Sequence, residues 1–481
     1  MDSPRRRAAS LIVLAIAALA SSGTSASPQP PPALTDTLTG SIEVTAETPV
    51  ATVDLSVAVN AALRSAPSNS TEVTIGTTNA GGLHPAEAKT LVTIEALDGQ
   101  PEASTNAFPS LRSFLDQSCG SGDCTRRYRI TVVLTDADAE RATFDWAASA
   151  SSRFGPGGGT GSPPPNSRLE VTAERPVFVP ADRLTRTTAT PDPVRVDAAH
   201  PRTSVTYDFT RGGDAETVGD SPRLVLRLEG DTGDPSRSER PATVTVRLGD
   251  VLVESTMLRD RVQFLPIALL RTCADPQGCT EPLTVQFEWE GGDPAEVIEQ
   301  AWSLTGIAVA AKDGPAAPVV FGPESRTVLS TDDPHLTATT SGSFDIGKDN
   351  GTFLDATVTL DATELGQERG GVHGLVQGIL TATSTGKGGT AKTEVRVLLD
   401  ERAVIGPPGE PLAVAGRLVA LDCEGRSRCT AVLPFGASMG YDDPVDVHVE
   451  WTLTVNFLAD PPATIPADIE LLLETAPLPA P

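Results

Sequence analysis

The sequence predicts an all-β protein of three tandem antiparallel β-sandwiches in an immunoglobulin-like arrangement. Two observations support this: pairs of cysteines, each followed by a tryptophan, recur at a nearly constant interval, and apolar residues alternate with polar ones around them. The chain holds 42 Gly and 41 Pro but only 4% aromatic residues, which favours short strands and turns over long helices. At about 150 residues per domain, 481 residues also correspond to three domains.

Residues 1–26 are predicted to be a secretory signal peptide. Arg5, Arg6 and Arg7 precede an apolar run over residues 8–20, and small residues end at Ala26. The run is too short for a membrane-spanning helix, which needs about 20 apolar residues. We therefore expect a secreted or cell-envelope protein whose mature chain does not insert into a membrane. The Ala-rich leader and the excess of Arg over Lys are typical of a GC-rich bacterial gene.

The net charge is the second constraint on function. Lys and Arg number 37 against 63 Asp and Glu, which gives −26. Because so acidic a chain is repelled by phosphate backbones and by anionic lipid, nucleic acid is excluded as an expected partner.

Six cysteines form three close pairs that repeat at intervals of 154 and 150 residues. In an exported chain such pairs predict disulfides, each closing a short loop and contributing about 2 kcal/mol. A zinc site is disfavoured because no histidine lies beside any pair, and the spacing does not match the Cys-x-x-Cys of redox enzymes. The predicted bridges are Cys119–Cys124, Cys273–Cys279 and Cys423–Cys429.

A tryptophan follows the second cysteine of each pair after 22, 23 and 22 residues: these are Trp146, Trp302 and Trp451. Apolar residues alternate before and around each one, which predicts two half-buried strands with the tryptophan in the core. We expect the two strands to form an antiparallel hairpin just after the disulfide. The second copy is less regular, since Gln300 is polar where an apolar residue is expected and Gly306 suggests a bulge.

These landmarks, together with Gly-rich and Pro-rich stretches, predict the domain boundaries. Similar segments at Glu43–Val50 and Glu170–Val177 suggest where the first two repeats begin. The predicted organisation is a leader (1–26), a Pro-rich segment (27–36), a first sandwich (37–152), a linker (153–166), a second sandwich (167–311), a linker (312–323), a third sandwich (324–476) and a tail (477–481).

One segment, residues 436–440, matches the Gly-x-Ser-x-Gly pattern of the α/β-hydrolase nucleophile elbow. That elbow needs a helix directly after the serine, whereas Ser438 is followed by a predicted strand. We therefore predict no catalytic residue and no enzymatic activity. We also expect no cofactor and no metal; Asp345 and Asp349 stand in an oxygen-rich turn, but its glycine spacing does not fit a calcium loop.

The resulting hypothesis is a non-catalytic binding, adhesive or structural protein outside the cytoplasm, because the repeated residues are suited to a core and not to catalysis. The alternative is an extracellular carbohydrate-binding or polysaccharide-active protein. Its exposed aromatic candidates are Phe154 and Tyr441. The expected partner is an extracellular protein or a glycan.

Overall fold

The chain is all-β, with several antiparallel sheets, in the computed structural model. Within the described residues, helical structure is limited to α1 (Ala61–Arg64) and a 3₁₀ turn at Ala181–Arg183. The structure describes residues 33–64, 70–79, 89–97, 103–104, 110–115, 122–135, 141–153, 163–211, 223–229, 239–259, 263–268, 278–309, 319–347, 351–361, 372–386, 394–423, 427–439, 446–460, 465 and 469–477. The predicted signal peptide, Phe154, Asp349 and Tyr441 lie outside them.

The described strands form six sheets, which pack as three pairs around three hydrophobic cores. The first sheet pair contains β1 (Ala33–Thr45), β2 (Val50–Val59), β3 (Ser70–Asn79), β4 (Thr90–Ala96), β5 (Ala103–Ser104), β6 (Ser110–Phe114), β7 (Cys124–Leu134), β8 (Arg141–Arg153), β9 (Leu169–Ala173) and β10 (Val177–Val179). The second contains β11 (Leu184–Ala189), β12 (Val194–Val196), β13 (Arg202–Arg211), β14 (Arg223–Glu229), β15 (Glu239–Leu248), β16 (Val251–Arg259), β17 (Gln263–Ala268), β18 (Cys279–Trp289), β19 (Ile298–Val309) and β20 (Val319–Leu329). The third contains β21 (His335–Ile346), β22 (Thr352–Asp361), β23 (His373–Gly386), β24 (Val395–Leu399), β25 (Arg402–Gly406), β26 (Pro411–Ala415), β27 (Val419–Asp422), β28 (Arg428–Met439), β29 (Val447–Ala459) and β30 (Glu470–Pro477).

The three pairs share one strand order. In each, the tryptophan sheet contains the strand with the repeated tryptophan: the orders are β1-β8-β3-β6, β11-β19-β14-β17 and β21-β29-β23-β26. The facing cysteine sheet contains the strand that begins at or beside the second cysteine of each pair. Its orders are β10-β2-β7-β4-β5, β20-β13-β18-β15-β16 and β30-β22-β28-β24-β25.

Alternating side chains build each core. In the first pair, Tyr128 and Ile130 of the cysteine sheet and Phe144 and Trp146 of the tryptophan sheet belong to one buried cluster. Burying one large apolar side chain is worth about 1.5–3 kcal/mol, so the period-two pattern selects one face of each strand for the core.

The predicted C-terminal hairpins are wrong. β7 and β8 lie in different sheets, as do β18 and β19, and β28 and β29. Two consecutive strands that each bury one face can pair with each other or face each other across a core, and period two does not distinguish these cases. Here the chain crosses between the sheets after the cysteine strand.

The last strands of each sheet pair in chain order pair at one edge of its cysteine sheet. β9 and β10 pair with β2, β20 pairs with β13, and β30 pairs with β22. The strands at 169–179 and 319–329 therefore join the sheet pair that precedes them in the chain.

The first and second sheet pairs contact each other through apolar residues that interrupt the alternation. Ile307 and Val225 of the second pair cluster with Val50, Leu91 and Val133 of the first. The ladders of β19 run through Gly306 without a register shift, so the predicted bulge is wrong. The apolar phase changes at Ile307 because the first sheet pair covers that residue.

The second and third sheet pairs are joined by polar contacts. Gly292 and Ala415 exchange two backbone hydrogen bonds of 2.8 Å, and Nε of Arg402 donates to the Glu290 carbonyl at 2.7 Å. The buried Nε2 of Gln377 also donates to the Ala198 carbonyl at 3.0 Å. These bonds bring the two sheet pairs into direct contact.

Asp197 organises the loop that carries Ala198. Its carboxylate accepts hydrogen bonds from Nε of Arg195 and from the backbone N–H groups of Ala199 and His200. Burial alone would raise the pKa of Asp197, but the hydrogen bonds from Arg195 and from the backbone and ring of His200 outweigh it and lower the pKa. These hydrogen bonds fix the loop that presents the Ala198 carbonyl to Gln377 of the third sheet pair.

Candidate functional site

The three repeated tryptophans occupy equivalent places. Trp146, Trp302 and Trp451 are each at most 7% exposed and belong to the first, second and third cores. Each lies on the strand that is second in its tryptophan sheet, opposite Thr77, Leu228 and Ala382 of the next strand.

Glycine makes room for two of these indole rings. Gly40 is directly opposite Trp146, and Gly342 is directly opposite Trp451. A Cβ on Gly40 would overlap the Trp146 ring, and one on Gly342 would lie 2.7 Å from Cζ2 of Trp451. No side chain larger than hydrogen fits between these strands and the ring.

The second sheet pair makes the same room in another way. Opposite Trp302 the neighbouring strand is interrupted, since β11 ends at Ala189 and β12 starts at Val194. Pro191 and Pro193 stand in this gap, and proline has no N–H to continue a ladder.

A hydroxyl pair lies three residues after each tryptophan, on the outer face of the same sheet. Thr37 Oγ1 donates to Ser149 Oγ at 3.2 Å in the first pair. The equivalent pairs are Thr188 with Thr305 at 3.0 Å and Thr339 with Thr454 at 3.3 Å. These contacts show that the repeat extends to the exposed face.

The outer face of the first tryptophan sheet contains a depression of about 800 Å³. Its central row crosses four strands in the order Thr39, Ala147, Gly76, Ser110, so that two residues with little bulk lie between two hydroxyls. A second row holds Ser41, Asp145 and Thr78. The depression exists because Ala147 and Gly76 have little bulk. The polar residues of the two rows surround it.

The equivalent central rows of the other sheet pairs carry larger side chains. In the third pair, Thr452 and Thr381 stand where the first has Ala147 and Gly76. In the second pair the corresponding residues are Ser303 and Arg227, and Arg227 forms an ion pair with Glu229 at 3.4 Å. The sheet framework is repeated, whereas the central row differs from one sheet pair to the next.

The cysteines also occupy equivalent places. Cys423 and Cys429 form a disulfide with a Cα–Cα distance of 5.3 Å. Cys124, Cys279 and Cys429 face residues at the ends of equivalent strands: Val59, Arg211 and Leu360. Because Cys119 and Cys273 lie outside the described residues, the other two bridges stay predictions.

Ser438 lies within β28 and pairs with Arg396 of β24. His448 lies on β29 in the facing sheet, where Nδ1 is 2.7 Å from Oδ1 of Asp345. The described residues contain no group of three or more potential metal ligands. Ser438 is therefore a strand residue in the described part of the chain, and the non-catalytic assignment stays a prediction.

Sequence reasoning missed the depression and the glycines opposite the tryptophans. A signal exists: Thr39-Gly40-Ser41 and Ser341-Gly342-Ser343 place their glycines 79 and 81 residues before the first cysteine of their repeats. Gly76 and Ala147 carry no such pattern and become visible only through the strand register.

Comparison with protein-family models, with curated proteins and with solved structures found no match. Among the described helices, none has the length and apolar character to cross a membrane.

Proposed function

We propose that the chain is an exported, non-catalytic binding protein built from three tandem immunoglobulin-like β-sandwiches. The repeated strand order supports this arrangement, and the closing strands suggest sandwiches at residues 33–179, 184–329 and 335–477. In this proposal β9, β10 and β20 belong to the preceding sandwich, because they pair with β2 and β13. The leader and the predicted disulfides favour a place outside the cytoplasm.

One observation carries the proposal: the three repeated tryptophans are interior, whereas the exposed row beside each of them differs from one sheet pair to the next. The tryptophans are buried, whereas the exposed row around Ala147 and Gly76 changes in each sheet pair. A catalytic machinery copied three times would repeat its polar residues, whereas a binding scaffold keeps its core and varies its faces.

The carbohydrate-binding alternative is favoured by the hydroxyl-lined depression of the first tryptophan sheet. It is compatible with the main proposal, because a glycan would then be the bound partner.

Export and the lack of catalysis can be tested on the full-length chain in a bacterial host. We expect the protein in the extracytoplasmic fraction with a mature N-terminus near Ser27. A chain that keeps residues 1–26 in the cytoplasm would contradict export. Labelling of Ser438 by a fluorophosphonate probe, compared with Ser438→Ala, would contradict the non-catalytic assignment.

A further inference from the structure

We propose that the depression on the first tryptophan sheet binds a short neutral glycan. This inference rests on the proposed binding function and assigns a site and a ligand class to it.

The shape of the depression suits an extended ligand. Thr39 and Ser110 are separated by three strand spacings of about 4.8 Å, so the central row is about 14 Å long. Ala147 and Gly76 form a flat floor between them. A Cβ on Gly76 would meet no heavy atom within 4 Å, which shows that the space above this residue is open.

The chemistry of the rim matches sugar hydroxyls. Thr39, Ser41, Thr78 and Ser110 each offer a hydroxyl that can donate one hydrogen bond and accept others. The Asp145 carboxylate is an acceptor between Ser41 and Thr78 and can receive two sugar O–H groups. Neutral sugars present hydroxyls along their chain, each of which can donate and accept hydrogen bonds and so can pair with this rim.

Charge and ligand number disfavour anionic ligands and calcium. The residues that line the depression include Asp145 but no Lys, Arg or His, and the whole chain carries −26. Phosphorylated, sulfated or uronic-acid ligands would be repelled. A calcium ion takes six to eight oxygen ligands with several carboxylates, which a single aspartate does not supply.

Gly76→Val is the direct test, because its side chain would enter the open space of the depression and fit a strand. The matched control is Thr381→Val, at the equivalent position of the third tryptophan sheet. A second variant, Thr39→Val with Ser110→Ala, removes both terminal hydroxyls and leaves the floor unchanged.

The experiment screens the exported mature protein on an array of neutral oligosaccharides and then titrates the strongest hit by calorimetry. We expect one site per chain. Gly76→Val should weaken binding by at least tenfold, about 1.4 kcal/mol, without lowering the melting temperature. The double variant should also weaken binding, and Thr381→Val should not.

Three results would overturn the proposal: no neutral glycan bound by the wild-type protein, full binding by a folded Gly76→Val, or an equal loss in Thr381→Val. If Gly76→Val fails to fold, full binding by the double variant would overturn the proposal. None of these results bears on export or on the absence of catalysis, which the fractionation and labelling experiments test separately.

Discussion

The tryptophan sheets of the first and third sheet pairs share a framework and differ on their outer face, including the central row. Both place a glycine opposite the tryptophan and a hydroxyl pair three residues later. They differ where Ala147 and Gly76 of the first sheet correspond to Thr452 and Thr381 of the third. The comparison shows that one buried framework can carry different side chains at equivalent exposed positions.

The largest effect is expected from removing the shared tryptophans. Trp146→Ala and Trp451→Ala should each lower the free energy of unfolding of their sheet pair by about 3–5 kcal/mol, because each leaves a cavity in a packed core. Urea unfolding with peptide-resolved hydrogen exchange measures each sheet pair separately. Phe114→Ala, at a 41% exposed residue, is the control. Wild-type stability in either tryptophan variant would contradict the shared framework.

Glycine substitutions should separate the buried face from the open one. Gly40→Val and Gly342→Val should cost about 1–3 kcal/mol, since the new side chain meets the indole ring. Gly76→Val should be neutral or stabilising by up to about 1 kcal/mol, because a strand glycine is replaced by a β-branched residue in open space. Thermal melting of the three variants tests this order, and a Gly40→Val protein as stable as Gly76→Val would contradict it.

The disulfides extend the comparison to the cysteine sheets. Replacing Cys423 and Cys429 by serine should cost about 2 kcal/mol through the loss of a short closed loop. We expect the same loss for Cys119 and Cys124, where the bridge is a prediction. Mass spectrometry of unreduced peptides checks the pairing directly. A titratable thiol at Cys119 in the native protein would show that the first sheet pair lacks this bridge.

The smallest effect is expected at the repeated hydroxyl pairs. Thr37→Val and Thr339→Val each remove one exposed cross-strand hydrogen bond, worth about 0.2–1 kcal/mol. The two losses should be equal within error in urea unfolding. A loss above this range at one position only would show that the two outer faces are stabilised differently.

The sequence was sufficient to predict the two strands around each tryptophan and their buried side, because side chains that alternate along a strand point alternately into the core and away from it. It was not sufficient to predict strand neighbours. β28 and β29 both alternate cleanly, yet they lie in facing sheets. Hydrogen-bonded neighbours depend on backbone crossings that leave no mark in the alternation.

Two further features required the structure. The similar segments at Glu43–Val50 and Glu170–Val177 suggest equivalent starts, but the first connects β1 to β2 and the second contains β9 and the start of β10. The apolar side chain of Ile307 is out of phase with the apolar residues before it in β19, which suggests a bulge. The pairing of β19 with β11 is nevertheless regular at this residue. An apolar residue on an otherwise polar face can mark a contact with the neighbouring sheet pair. The pattern within a single repeat does not reveal that contact.

The space shared by glycine and tryptophan couples positions more than 100 residues apart. If a smaller ring replaced Trp451, position 342 could hold a residue larger than glycine. Conversely, a larger residue at position 342 would require a smaller ring at position 451. Homologous repeats should therefore covary at these two sites. The interrupted strand opposite Trp302 shows an exception to this rule, in which a gap in the backbone and not an amino-acid choice accommodates the indole.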